Sequence, residues 1–349
     1  MATPLLPNLL AGRSSTRRSR GRRGGGTGLD AVIQDTDNDA AVSRLSAVQM
    51  GYLDDGFAEY FVRQPTRRQP IINRGTYVRT QALDLTIAGF LSHDAGGDKQ
   101  IVSLGAGTDT RPFRLLGHRS GPRLTYHEID FEATCRHKLA VVRGTPQLSS
   151  RLRQIDEAAS GSWTAQSEHG DAYYCHAADL RALDHGAASV ALLASLRTNV
   201  PTLVVSECCL CYLTHLEAEG VIDFFCSRIA RLAIVIYEPM PLDDAFGTVM
   251  LSNLRARNIV MPSAEHYKNG SGQERRLRHA GFSRVGHMTI DAAWQLLIPT
   301  AEKDRLALLE GLDELEEWTL LAAHYIVAWA SRDTSLGHVD QYVVSLAKE

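Results

Sequence analysis

No stretch of this 349-residue chain approaches the ~18 consecutive apolar residues that a membrane-spanning helix needs. Cysteine is scarce too, with six at 135, 175, 208, 209, 211 and 226. None forms the spaced pairs from which zinc sites are built, and His215, the histidine near "CCLC" (208–211), completes no ligand spacing. No metal is expected, and the thiols read as small core residues in a reducing, cytoplasmic setting. A basic body is missing as well. Six of the 37 basic residues are arginines at 13, 17, 18, 20, 22 and 23, in a first 29 residues that hold no acid. The other 31 face 40 acidic residues, a net −9 that does not suit a nucleic-acid groove.

What remains is an ordinary globular composition, 44% hydrophobic with a mean hydropathy of −0.16, enough for one large α/β domain. The opening "RSSTRRSRGRRGGGTG" lacks apolar residues to bury, so residues 1–38 are expected to be a disordered basic tail, with a nuclear fraction through its arginines as one consequence. From 39 onward the pattern is periodic. A helix follows residue 39, "QPTRRQPIINRG" reads as a Pro-bounded loop, and a second helix runs from about Tyr77 to Leu91. Apolar runs at 100–104, 124–130, 172–180, 202–207 and 232–238 alternate with helical stretches, the signature of a parallel sheet covered on both faces. Helices are expected at 243–258, 273–281, 291–297 and 301–323, and late strands at 282–290 and 324–332. The polar segment 144–170 reads as a surface insertion. The fold class is therefore α/β, a doubly wound, mostly parallel sheet with helical additions at about 39–91 and 243–281, the second forming a lid.

"QIVSLGAGTDTRPFRL" (100–115) ends a strand in Gly105-Ala106-Gly107. Glycines there let bare backbone approach a ligand at the start of the next helix. The third glycine of a dinucleotide fingerprint is replaced by Thr110, and Asp109 would repel a pyrophosphate. Asp130, 25 residues beyond Gly105, stands where a carboxylate grips a ribose diol; Glu128, on the same face, is its rival. Asp179 suits an adenine amino group with Leu180 covering the ring, and Glu207 ends the fourth strand above the crevice. Strand-end acids beside a glycine hinge favour a cationic nucleoside, S-adenosylmethionine, over NAD.

Taken together, "VSLGAGTDTRPFRL", "EIDF", "ADLR", "SECCLCYL", "INRGTYVR" and "AFGTVMLSNL" resemble the leucine carboxyl methyltransferases, from about Val42 to Arg332. The resemblance implies a class I S-adenosylmethionine-dependent methyltransferase. Its acceptor would be the C-terminal leucine α-carboxylate of the protein phosphatase 2A catalytic subunit. The resemblance places cofactor contacts at Arg44, Arg79, Gly105, Asp130, Asp179, Leu180 and Glu207. Arg44 stands where a lysine is expected, Thr76 where an aromatic is expected, and Val78 where a small residue is expected. A related branch that modifies a tRNA base carries a repeat-containing extension for which 349 residues leave no room.

An α-carboxyl group has a pKa of about 3.3–3.7 and is already ionised at neutral pH, so no general base is required. Positioning is, and Arg79 is the first candidate to hold a carboxylate, with Tyr212 a hydrogen-bond donor at the reaction centre. Arg74, beside Gly75, is expected to be solvated. The rival readings are a methyltransferase of a small-molecule carboxylate or hydroxyl, an NAD-dependent oxidoreductase, and an RNA-directed binding module acting through the tail.

Overall fold

The near-continuous apolar runs become the middle of one nine-stranded sheet in a computed structural model that describes residues 28–93, 97–117, 123–184, 187–313 and 315–337. Residues 1–27 of the tail expected at 1–38 lie outside the described residues. In chain order the elements are α1 (Gly28–Gln49), α2 (Pro70–Ser92), β1 (Lys99–Leu104), α3 (Arg111–Leu115), β2 (Leu124–Asp130), α4 (Glu132–Gly144), α5 (Pro146–Ser149), β3 (Arg153–Glu157), β4 (Trp163–Gln166) and β5 (Ala172–Ala177). There follow α6 (Ala187–Ser195), β6 (Thr202–Glu207), α7 (His215–Cys226), β7 (Leu232–Pro239), α8 (Ala245–Arg255), α9 (Pro262–Tyr267), α10 (Gly270–His279), β8 (Arg284–Thr289), α11 (Ile290–Leu297), α12 (Thr300–Leu309), α13 (Leu315–Ala322) and β9 (Tyr325–Arg332).

The strand order is β3-β4-β5-β2-β1-β6-β7-β9-β8. Five central strands, β5-β2-β1-β6-β7, are parallel, and antiparallel pairs close both edges. Because the strand period is two, neighbouring residues feed opposite layers. Ile101, Leu203 and Val235 pack in one apolar cluster with α2, α4 and α11, whereas Val102, Val204 and Ile234 pack in the other with α7, α8 and α10. After β1 the chain winds one way, to β2 and β5, and then returns to the other side of β1 as β6 and β7. The reversal puts a topological switch point at the carboxyl ends of β1 and β6, where such sheets open a crevice.

Four elements differ from the sequence reading, each for a physical reason. Helix α1 begins at Gly28, so the tail boundary expected at 38 falls inside it; its weak amphipathic pattern hides a helix held by polar contacts. Helix α2 begins at Pro70, not Tyr77, because the ring occupies the first turn, where its missing N–H is not needed. The segment 144–170 holds the β3–β4 hairpin, whose outer strand alternates no apolar residues because it is an edge, charged by Glu157 and Arg153. The single helix expected at 301–323 is two, α12 and α13. No helix among the described residues is long and apolar enough to cross a membrane.

A polar ladder crosses the buried centre of the sheet. His127 Nδ1 lies 3.0 Å from His176 Nε2, His127 Nε2 lies 3.2 Å from Gln100 Oε1, and Gln100 Nε2 donates to Thr202 Oγ1 at 3.0 Å. Burial drives the His176 imidazole down to about 4, and burial together with His176 lowers His127 further. Between pH 6.5 and 4 the unfolded chain therefore binds protons that the folded chain refuses, and stability falls as pH falls. For His176 alone the loss is about 3 kcal/mol. Urea midpoints should drop between pH 7 and 4.5, and His176→Gln should flatten that slope; an equally steep slope in the variant would place the acid-sensitive group elsewhere.

Candidate active site

A cavity of about 370 Å³ opens at the switch point. Its floor is the hinge after β1, where Gly105 and Gly107 both have positive φ, 57° and 51°. A Cβ on Gly105 would stand 2.6 Å from Cys209 Sγ, and one on Gly107 2.2 Å from Asp37 Oδ1, so only glycine fits either place. Asp130, at the end of β2, accepts from Gly107 N and Phe131 N, both at 2.7 Å. Burial raises its carboxyl pKa despite these two amides, and the nearby Asp37 charge adds to the rise. Glu128, its rival, is engaged elsewhere. Lys138 Nζ binds its two oxygens at 2.7 and 2.6 Å, the Tyr173 hydroxyl binds it too, and burial pushes it up to about 7. The structure brings Asp130 to the cavity and leaves Glu128 in the core.

One wall is an ion network. Glu207 accepts from Arg79 Nε through one oxygen and from Arg111 Nη1, at 2.7 Å, through the other. Arg111 also reaches Asp109 Oδ2 at 2.9 Å and Asp84 Oδ1 at 2.7 Å, while Arg44 Nη1 stands 3.5 Å from Asp109. Burial opposes the charge on Glu207 and Asp109, yet Arg111, Arg79 and Arg44 outweigh it at Glu207, and Arg111, Arg44 and Lys138 at Asp109, and hold both carboxyls well below their usual range. The Arg79 guanidinium lies 4.7 Å from the centre of the Tyr237 ring. Among the described residues no acceptor bonds its two terminal nitrogens, which leaves that edge available.

Helix α1 forms the roof. Asp37 Oδ1 accepts from Thr108 N at 2.8 Å and Thr108 Oγ1 at 2.9 Å. Asp30 takes Arg181 Nη1 at 3.1 Å, and Arg181 is held in turn by Asp179 at 2.6 Å. Asp179 thus caps the turn Leu180–Ala182 and anchors an arginine, and half-buried Leu180 faces the cavity beside it. Tyr212 ends the turn Leu210–Tyr212 and lines the same cavity; burial holds its hydroxyl well above the ordinary value, so it stays a neutral donor.

All eight residues singled out from the sequence (Arg44, Arg79, Gly105, Asp130, Asp179, Leu180, Glu207 and Tyr212) line this one cavity. Asp37, Arg111 and Arg181 were missed. Arg111 had a signal, since "DTRPF" sets it two residues from Asp109, but its reach to Asp84 and Glu207 is tertiary. Arg74 corrects an expectation: it is 7% exposed within α2, not solvated. Burial also raises the thiols of Cys208, Cys209 and Cys211, which makes them poor nucleophiles. No cluster of three metal-ligating side chains occurs among the described residues.

The carboxylate of Asp37 occupies the Thr108 amide, where a dinucleotide would set its pyrophosphate, so the donor set disfavours phosphates. Two bare glycines, a carboxylate at the end of β2 and an arginine edge fit a nucleoside that carries a sulfonium and a carboxylate.

The family described as leucine carboxyl methyltransferase matches residues 32–226. The chain is 43% identical to leucine carboxyl methyltransferase 1 of Emericella nidulans over 96% of both chains. It belongs to the leucine carboxyl methyltransferase family. It is also 37% identical to the Schizosaccharomyces pombe enzyme of the same name, over 86% of this chain and 94% of that one. A third relative, human tRNA wybutosine-synthesizing protein 4, is 33% identical over 92% of this chain but only 46% of its own length. The family member described here is thus an S-adenosylmethionine-dependent carboxyl methyltransferase.

Proposed function

We propose that this enzyme methylates the α-carboxylate of the C-terminal leucine of the protein phosphatase 2A catalytic subunit. The observation that carries the reading is the pairing, in one cavity, of an arginine edge at Arg79 with an apolar end built by Ile71, Ile72, Ile290 and Leu321. A terminal leucine has both parts, an anion and a branched aliphatic side chain. S-adenosylmethionine, when bound, supplies a methyl group activated by the sulfonium.

The residues of the chain then have three tasks. Gly105, Gly107, Asp130, Asp179 and Leu180 hold the nucleoside, with Asp130 accepting from the ribose hydroxyls. Arg79 and Arg44, fixed by Glu207 and Asp109, present donors to carboxylates. A guanidinium committed through Nε to Glu207 donates less strongly to an incoming oxygen than a free one, so it orients the nucleophile without quenching it. Tyr212 donates its hydroxyl at the same place, and the roof of α1 excludes water.

The test is transfer of labelled methyl to the phosphatase catalytic subunit, to the same protein lacking its terminal leucine, and to tRNA. Label is expected on the first alone and should be released by mild base as a methyl ester. Label on the truncated subunit or on tRNA would overturn the reading.

A further inference from the structure

Behind the apolar end of the cavity lies a charge with no counter-charge. Arg74 sits in α2 among residues that are buried, 7% exposed, and among the described residues it makes no ion pair. Its Nε has no hydrogen-bond partner, and burial lowers its pKa with only Tyr52 acting against that. What it has instead are two indoles. The guanidinium carbon lies 4.9 Å from the centre of the Trp294 ring and 5.5 Å from that of Trp318. The two rings meet edge to face, 6.0 Å apart at 76°. Arginine tolerates such a place because its weakly hydrated plane stacks on aromatic faces.

Of these three residues Trp318 alone lines the cavity. Its Cζ3 stands 3.8 Å from where a Cβ on Gly75 would be, so the ring is seated on α2 at a residue without a side chain. Thr76 follows, bonding Ile72 O through its hydroxyl. The aromatic expected at 76 is absent, and α13 supplies an aromatic surface beside Gly75.

We infer that Trp318 is the wall that sizes the acceptor side-chain chamber, and that Arg74 is a positioning residue that holds this ring from behind. The inference rests on the acceptor reading given above. The wall admits a branched aliphatic side chain and turns away an aromatic one.

The test compares kcat/KM on the phosphatase catalytic subunit with the same protein ending in phenylalanine. Wild-type enzyme should prefer leucine. Trp318→Leu should narrow the preference roughly tenfold, the scale on which an apolar pocket discriminates by size, chiefly by gaining on the phenylalanine tail. Trp318→Phe keeps an aromatic core should the first variant fold poorly, and it should narrow the preference by a smaller factor. Arg74→Met should act in the same direction with unchanged affinity for S-adenosylmethionine, and Arg74→Lys should restore part of the preference. If the folded variants lose activity equally on both tails, or keep the wild-type ratio, the wall is refuted and Trp318 is only packing. If wild-type enzyme methylates neither tail, the acceptor reading falls first and takes the wall with it.

Discussion

Glu207→Gln is expected to eliminate turnover and to lower the melting temperature by roughly 4–7 °C. The wild-type carboxylate holds Arg79 on one oxygen and Arg111 on the other, and all three are largely buried. Glutamine keeps the shape but leaves two guanidiniums facing a neutral amide. Removing one partner from a buried charge network costs about 3–5 kcal/mol, which for a chain of this size sets that shift in melting temperature. Turnover goes because Arg79 loses the tie that fixes its edge in the cavity. Scanning calorimetry and a methyl-transfer assay on one preparation check both. A variant with a wild-type melting point would mean that Asp109 and Asp84 alone satisfy the arginines. The network also has its own acid dependence. Carboxyls held below their usual range contribute stability that is present at neutral pH and lost only as pH falls through those lowered values. It therefore outlasts the His127–His176 ladder, which fails between pH 6.5 and 4.

Asp130→Asn should behave in the opposite way. Affinity for S-adenosylmethionine is expected to fall by about 10²–10⁴, from two hydrogen bonds to a charged acceptor at about 1.5–3 kcal/mol each. The fold should not suffer. Burial raises the Asp130 carboxyl, so the folded protein disfavours the very charge it keeps there. A neutral amide relieves that but turns its NH2 toward the Gly107 or the Phe131 amide, so the two effects offset and the melting temperature without cofactor should change little. Titration calorimetry with S-adenosylmethionine and with NAD, run on both proteins, measures it. Unchanged affinity in Asp130→Asn would remove this carboxylate from the site, and wild-type binding of NAD would overturn the reading of Asp37 as a bar to pyrophosphate.

These two carboxylates also mark how far the sequence can be read. Asp130 was visible because its role is local in register: a strand end at a fixed distance from a glycine hinge. Glu207 was visible as a strand end, but its commitment to Arg111 was not, since Arg111 approaches from the far side of the hinge. The parallel strands were legible because both their faces are buried and their runs are apolar throughout. The β3–β4 hairpin was not, because an edge strand carries charges in place of a period-two pattern. Pro70 reads as a loop residue because proline serves equally in a turn and at the first position of a helix. The burial of Arg74 is not legible for a similar reason, since the indoles that take it in come from α11 and α13, more than 200 residues along the chain.

The roof of α1 has a practical bearing on anyone who handles this protein. A boundary at residue 38 is what composition suggests for trimming a basic leader. It would remove Asp30 and Asp37, the two carboxylates through which α1 reaches Arg181 and Thr108. A shortened chain would keep its sheet but lose those carboxylates and the Val32 contact with the core, so it is expected to shed cofactor faster and to pass for an inactive homologue.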